Sequence, residues 1–155
     1  MEKKKVLFVC LGNICRSPSA EAILKAIVAR EGVASNFEID SAGTSGYNEG
    51  LPADSRSIKH AKKRGYDLTS ISRPIKESDF EYFDYIVAMD DSNISNLEQI
   101  SQGRYGDKIF KMTDYLSKYN EDTVPDPYYG VAKDFEYALD LLEDACEGFY
   151  KHIAK

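Results

Sequence analysis

Apolar residues fall along the chain in two alternating rhythms. Between Lys3 and Val9 a basic lead runs into an unbroken stretch of β-branched, aliphatic and aromatic residues, the pattern of a strand buried on both faces in a parallel sheet. From Ser17-Pro18 to Arg30 the rhythm changes, with Ala20, Ile23, Leu24, Ile27 and Val28 at helical spacing. Pro18 belongs in the first turn, where no amide is missed, and Gly32 closes the helix. The alternation then repeats. Phe37 to Ser41 reads as a strand, Ser55 to Gly65 as a helix, Asp84 to Met89 as a second buried strand followed by a helix from Ser92, and Lys108 to Met112 as a fourth short strand. Ala132 to Ile153 is a long closing helix carrying Phe135, Ala138, Leu141, Leu142, Ala145 and Phe149. Between these elements, 43–52 is rich in Gly, Ser and Asn, and 122–130 contains two prolines, so both are expected as exposed loops. Repeated strand–helix units predict the α/β class: an open parallel sheet with helices on both faces. Ligands of such sheets bind beyond the carboxyl ends of the strands, which directs attention to the residues after strand one.

Composition narrows the picture. At 155 residues with 43% hydrophobic and 12% aromatic content, the chain suits one domain with a real core. A net charge of -6 disfavours nucleic acid and anionic membranes as partners, so any anion must be held by a local pocket. Cys10, Cys15 and Cys146 form an odd set without an even framework, as in reduced cytoplasmic proteins. The opening residues superficially resemble a secretory signal, and Ala20-Glu-Ala22 mimics its cleavage site. The apolar run is short, however, and Gly12-Asn13 and Arg16 follow it; no later run approaches a membrane span, so no membrane insertion is expected.

Directly after strand one comes Cys10-Leu-Gly-Asn-Ile-Cys-Arg-Ser17, a cysteine and an arginine separated by five residues and ending at a helix start. A helix N-terminus presents unpaired amides and a partial positive charge, so a loop wrapped there can aim several N–H groups at one phosphate. Gly12 would help the backbone curl. The planar fork of Arg16 suits the same anion. Both features favour Cys10 as thiolate, its nucleophilic form, and the Ser17 hydroxyl is placed to donate to the sulfur. The bland alternatives are a buried strand-end cysteine and a plain helix cap. The Walker pattern is excluded because the loop lacks its Gly-Lys-Ser/Thr ending.

Expelling an alkoxide or phenoxide from phosphorus calls for a proton donor, and this loop contains no acid. Val124-Pro-Asp-Pro-Tyr-Tyr-Gly130 is the best candidate to supply one, its prolines stiffening the backbone around Asp126 beside an aromatic wall. Spacing alone leaves an ordinary Asp-Pro turn open.

Taken together, the loop Cys10 to Pro18, Asp40-Ser-Ala-Gly-Thr44, Asp84-Tyr-Ile-Val-Ala-Met-Asp90 and Asp126-Pro-Tyr-Tyr129 resemble the low molecular weight protein tyrosine phosphatases over nearly the whole chain. The resemblance implies one such domain over residues 1–155 and a four-stranded parallel sheet. It also implies hydrolysis of phosphotyrosine, and of aryl phosphates such as p-nitrophenyl phosphate, through a phosphocysteine intermediate without metal or cofactor. In those terms Cys10 is the nucleophile, Arg16 and the amides of Leu11, Gly12, Asn13, Ile14 and Cys15 bind phosphate, and Asp126 is the general acid. Asn13 would prop the loop in a left-handed conformation through a network with Ser17 and Ser41. Tyr47 would line one rim of the pocket, with Tyr128 and Tyr129 on the other. Ile14 resembles the apolar loop residue of tyrosine-directed members, where phosphoarginine-directed relatives carry Thr. Cys15 would be a reversible disulfide partner for Cys10, against the alternative of a small packing residue. Expected partners are phosphotyrosine proteins, with inorganic phosphate as product and competitive ligand and the protein a monomer or weak homodimer. One departure is Ser70, where many members carry a His joined to the loop network. His60 and His152 are expected to be ordinary solvated side chains.

Two other functions fit parts of the pattern. Arsenate reduction on the same fold would need further cysteines, and none lies between Arg73 and Ser95. A non-catalytic phosphotyrosine-binding module could dispense with Cys10 or Asp126, and both are present. Cys10 and Cys15 as metal ligands would need two more soft or imidazole donors from scattered positions.

Overall fold

The computed structural model describes residues 2–154. Its strands, β1 (Lys4–Cys10), β2 (Phe37–Gly43), β3 (Tyr85–Ala88) and β4 (Ile109–Lys111), form one parallel sheet in the order β2-β1-β3-β4. The helices are α1 (Arg16–Arg30), α2 (Ser55–Lys63), α3 (Glu77–Tyr82), α4 (Asp91–Ser101) and α5 (Ala132–Ile153). Central β1 pairs with β2 on one side and β3 on the other, and Val6 to Val9 are fully buried. Its period of two sorts the core into two layers. Val6, Phe8 and Cys10 pack with α1 and α5, whereas Leu7 and Val9 pack with Phe80, Phe83 and Leu97 from the α3–α4 side. Helix α5 lies so close to the turn before residue 116 that a Cβ on Gly148 would stand 2.1 Å from the Tyr115 carbonyl oxygen. A glycine is therefore required there.

The α/β architecture matches expectation, with element ends differing by a residue or two. Two of those differences bear on the site. Strand β1 runs through Cys10, and β2 runs through Gly43 because Ala42 and Gly43 still pair with Val9 and Cys10. The thiol therefore projects from the last rung of a central strand. Helix α3 was not anticipated. Its six residues span fewer than two turns, too few for a helical period to show; Phe80 and Phe83 plug the second core layer, and the Asp79 carboxylate accepts from the Lys76 amide at 2.7 Å.

The expectation for His60 is corrected. Its side chain is only 11% exposed, hydrogen-bonded through Nδ1 to Glu136 and stacked on Phe135. Flanking charges at 59, 62 and 63 mark the helix as amphipathic, but residue 60 falls on the face turned to α5. His152 is exposed, as expected.

Candidate active site

Cys10 ends β1 and Arg16 begins α1, so residues 11–15 must reverse the chain at the carboxyl edge of the sheet. The loop's carbonyls are held from outside. Thr44 and Ser45 amides donate to the Cys10 and Leu11 carbonyls at 2.9 and 3.0 Å, the Asp54 amide donates to Ile14 at 2.8 Å, and Ser19 Oγ donates to Cys15 at 2.8 Å. The Gly12 carbonyl accepts twice, from Asn48 Nδ2 at 3.2 Å and Ser72 Oγ at 3.0 Å. In a trans peptide the N–H points opposite to its carbonyl, and no peptide bond among the described residues is cis. The amides of Leu11, Gly12, Asn13, Cys15 and Arg16 are thereby turned toward the inside of the loop. The Asn13 amide shows the result, lying 3.3 Å from Cys10 Sγ. Gly12 serves this arrangement through its size: a Cβ there would meet Asn48 Nδ2 at 2.7 Å, and its φ is not positive.

Asn13 is the residue that curls the loop, with φ of 56°, in the left-handed region that Asn tolerates. Its side chain fixes the direction of a hydrogen-bond chain. The Arg73 amide donates to Oδ1 at 3.0 Å, so the Nδ2 group faces Ser17 Oγ at 2.8 Å and Ser41 Oγ at 3.0 Å. Ser41 in turn donates to Glu21 Oε1 at 2.6 Å. Having accepted from Asn13, the Ser17 hydroxyl has its own hydrogen free for Cys10 Sγ, 3.1 Å away, with the Ala42 carbonyl the more distant acceptor at 3.5 Å. A hydroxyl donating to sulfur stabilises a thiolate whether it attacks or leaves.

Arg16 is 4% exposed and held by one edge, its Nη1 donating to Asp90 Oδ2 at 2.7 Å and to the Val124 carbonyl at 3.0 Å. Its Nε is buried with no partner among the described residues, and Nη2 lies 3.7 Å from Asp126 Oδ2. The fork therefore keeps its Nε–Nη2 edge for an anion. Burial opposes the charge, but Cys10, Asp90 and Asp126 outweigh it and raise the guanidinium above its ordinary value. Asp126 itself is 40% exposed.

Cys10 and Asp126 share an open cleft of about 430 Å³, lined also by Leu11, Gly12, Ile14 and Cys15 of the loop, by Ser45, Tyr47 and Asn48, and by Tyr128 and Tyr129. The three tyrosines expected at the rim all line this one cleft. Tyr47 and Tyr129 are almost fully exposed, at 92% and 94%, while Tyr128 is less so, at 39%. Cys15 is 5% exposed, and burial pushes its thiol up to about 12. No cluster of metal-ligating side chains is found among the described residues.

A family model, low molecular weight phosphotyrosine protein phosphatase, matches residues 5–155. The chain belongs to this family. The low molecular weight phosphotyrosine protein phosphatase of Gallus gallus is 42% identical over 151 residues, covering 96% of this chain and 94% of the relative. Among solved structures, the protein tyrosine phosphatase of Entamoeba histolytica with Hepes in its active site superposes with a TM-score of 0.95 at 49% identity, covering 98% of this chain and 97% of that one. An arginine phosphatase of Drosophila superposes with a TM-score of 0.90 at 35% identity, covering 97% and 98%. As its relatives' names state, this is a family of protein tyrosine phosphatases.

Several contributors escaped sequence reading. Asp90 follows β3 as Cys10 ends β1, so the two share the sheet's carboxyl edge; a carboxylate at that position was a readable signal for an Arg16 partner. Glu21, 7% exposed on α1, carried only the faint signal of an acid among the apolar positions of a helix. Ser72 and Arg73 had none, because they reach the loop from 60 residues away. They also answer the question raised by Ser70, which makes no hydrogen bond in the loop network: the neighbouring Ser72 hydroxyl and Arg73 amide carry the support on this strap, and the Arg73 guanidinium anchors it to Asp40 and Asp79.

Proposed function

We propose that the chain hydrolyses phosphotyrosine and small aryl phosphates through a phosphocysteine intermediate. The observation that supports this reading is the convergence on Cys10 Sγ of the Ser17 hydroxyl and the Asn13 amide, together with a buried Arg16 whose Nε has no partner among the described residues. The thiolate of Cys10 attacks phosphorus, the P–O bond breaks with its electron pair moving to the aryl oxygen, and Asp126 protonates that oxygen. Water then attacks the phosphocysteine while Asp126 takes its proton, releasing inorganic phosphate and regenerating the thiolate. Arg16 and the inward amides bind the equatorial oxygens, most strongly where charge develops. No step needs a metal. Ile14 and the three tyrosines that line the cleft favour a flat phenyl ring over a guanidino group, and three unpaired cysteines favour a reducing, cytoplasmic setting.

Cys15 is carried as the redox partner: peroxide would convert Cys10 to a sulfenic acid, and the Cys15 sulfur would displace water to close the disulfide. A buried neutral thiol makes this closure slow at neutral pH.

The test is turnover of p-nitrophenyl phosphate, a phosphotyrosine peptide and a phosphoarginine peptide in EDTA by wild type, Cys10→Ser and Asp126→Ala. Wild-type activity on the tyrosine substrate, lost in Cys10→Ser and slowed in Asp126→Ala, is the expected result. Turnover that survives Cys10→Ser removes the nucleophile assignment, and a preference for phosphoarginine overturns the substrate class.

A further inference from the structure

The acid-bearing loop poses a positional problem. Asp126 must lie within hydrogen-bond reach of a leaving oxygen, yet its loop has few ties to the body of the protein. Its root is fixed where the Val124 amide donates to the Met89 carbonyl, and Pro127 is buried. Beyond these, Asp126 Oδ2 lies 3.7 Å from Arg16 Nη2, and the hydrogen bonds found for residues 125–130 are internal: the Tyr128 amide to Asp126 Oδ1 at 3.1 Å, and the Gly130 amide to the Pro127 carbonyl at 2.8 Å. The first of these makes the Asp126 carboxylate follow wherever Tyr128 goes.

Tyr128 leans on Arg56. The guanidinium carbon of Arg56 lies 5.3 Å from the Tyr128 ring centroid and 4.8 Å from that of Phe135, within the range of cation–π attraction. Phe135 is 3% exposed and backed by His60, stacked at 5.6 Å and 11°, so the base of this stack is rigid. The guanidinium plane is set from its edge. Nε donates to Asp54 Oδ1 at 3.1 Å and Nη2 to Asp54 Oδ2 at 2.9 Å, a fork-to-fork pair that fixes orientation and leaves the faces for the rings. Asp54 also caps α2, and its own amide donates to the Ile14 carbonyl at 2.8 Å. One short turn therefore touches both halves of the site: the phosphate-loop floor through Asp54, and the wall carrying the acid through Arg56.

Resting on the functional reading above, we propose that Arg56 is a positioning residue for the general acid, holding Tyr128 so that the Asp126 carboxylate faces the leaving oxygen. It touches neither phosphate nor leaving group. Its contribution is confined to the step in which Asp126 gives up its proton, and it grows as the leaving group becomes more basic. A delocalised guanidinium paired edge-on with Asp54 and within cation–π reach of two rings is not matched by a compact ammonium, so Lys does not substitute for it.

The test compares wild type with Arg56→Met and Arg56→Lys by kcat/KM on phenyl phosphate and on 2,4-dinitrophenyl phosphate, whose leaving group needs little protonation. Both variants should lose about tenfold on phenyl phosphate and less than about twofold on the dinitrophenyl ester, the partial loss expected when general acid catalysis is misplaced and not abolished. Adding Arg56→Met to Tyr128→Leu should cost nothing further, since both cut the same link. A second arm needs no turnover: amide hydrogen exchange at residues 128–130 should quicken in Arg56→Met while exchange at 11–15 stays unchanged. Equal losses on both esters, full activity in Arg56→Lys, or unaltered exchange at 128–130 overturn the proposal. If wild type proves inactive on every ester, the functional reading falls, and the exchange arm alone decides whether Arg56 holds the loop.

Discussion

The two sides of the cleft are built on opposite plans. The phosphate loop is tied down from outside, its carbonyls held by amides and side chains drawn from residues 19, 44, 45, 48, 54 and 72, and its one strained residue, the buried Asn13, is held by an amide from residue 73. The acid loop stands in solvent, with hydrogen bonds that begin and end within itself and an Asp126 that is 40% exposed. The difference follows from the task each side faces. A phosphoryl group has the same three oxygens in every substrate, so donors fixed before the reaction lose nothing to reorganisation. Leaving groups differ in size and basicity, and a carboxylate on a lightly tethered loop can meet more than one of them.

The harshest way to break the comparison is to remove the atom on which the rigid side converges. Cys10→Ser should lower hydrolysis of p-nitrophenyl phosphate by on the order of 10⁴-fold or more while phosphate binding persists; steady-state rates with isothermal titration of phosphate check both halves. Next comes the flexible side. Asp126→Asn should cost about 10²–10⁴-fold on phenyl phosphate and much less on the dinitrophenyl ester, and a uniform loss on the two would show that the loop serves binding more than proton transfer. Replacing the fork by a point charge should cost somewhat less: Arg16→Lys is expected to reduce kcat/KM by about 10²–10³-fold, with equal effect on both esters because the phosphate grip is shared. Loosening one tie of the rigid loop should be milder still. Ser72→Ala leaves Asn48 as the remaining donor to Gly12, so about 1 kcal/mol is at stake, measurable as a few-fold fall in kcat/KM with a small loss of stability in urea. The smallest expected effect is none at all. Burial pushes Cys15 up to about 12 and raises Cys146 further, so both are neutral thiols at pH 7. Iodoacetamide should then label Cys10 in the cleft and spare the other two until the protein unfolds, as peptide mass mapping would show.

Legibility in the sequence followed the same divide between local and distant. Strand β1, the Cys10–Arg16 loop and the start of α1 occupy consecutive positions, so their spacing and their place beyond a buried strand could be read together. Asp126 lies 110 residues beyond Arg16, and the residues alone made it the best candidate acid while leaving an ordinary Asp-Pro turn open; the resemblance decided between the two. What was missed was assembled by tertiary folding: Asp90 beneath Arg16, Ser72 and Arg73 behind Asn13, Glu21 behind Ser41. His60 misled because three lysines flank it at 59, 62 and 63, while its own ring turns inward onto Phe135. Helix α3 was missed for a different reason, since six residues held by a single side-chain cap offer no period to detect.

The double anchoring of Arg16 carries a last consequence. Its Nη1 binds Asp90 at the end of β3 and the carbonyl of Val124, whose amide reaches back to Met89. Anion binding and the root of the acid loop are thus joined through one guanidinium, and two equilibria that share a group must be linked reciprocally. An oxyanion that steadies Arg16 also suppresses the opening that frees the Val124 amide, so vanadate or phosphate should slow its deuterium uptake. By the same linkage, any substitution that tightens residues 122–126 onto β3 raises the affinity for the anion without touching it.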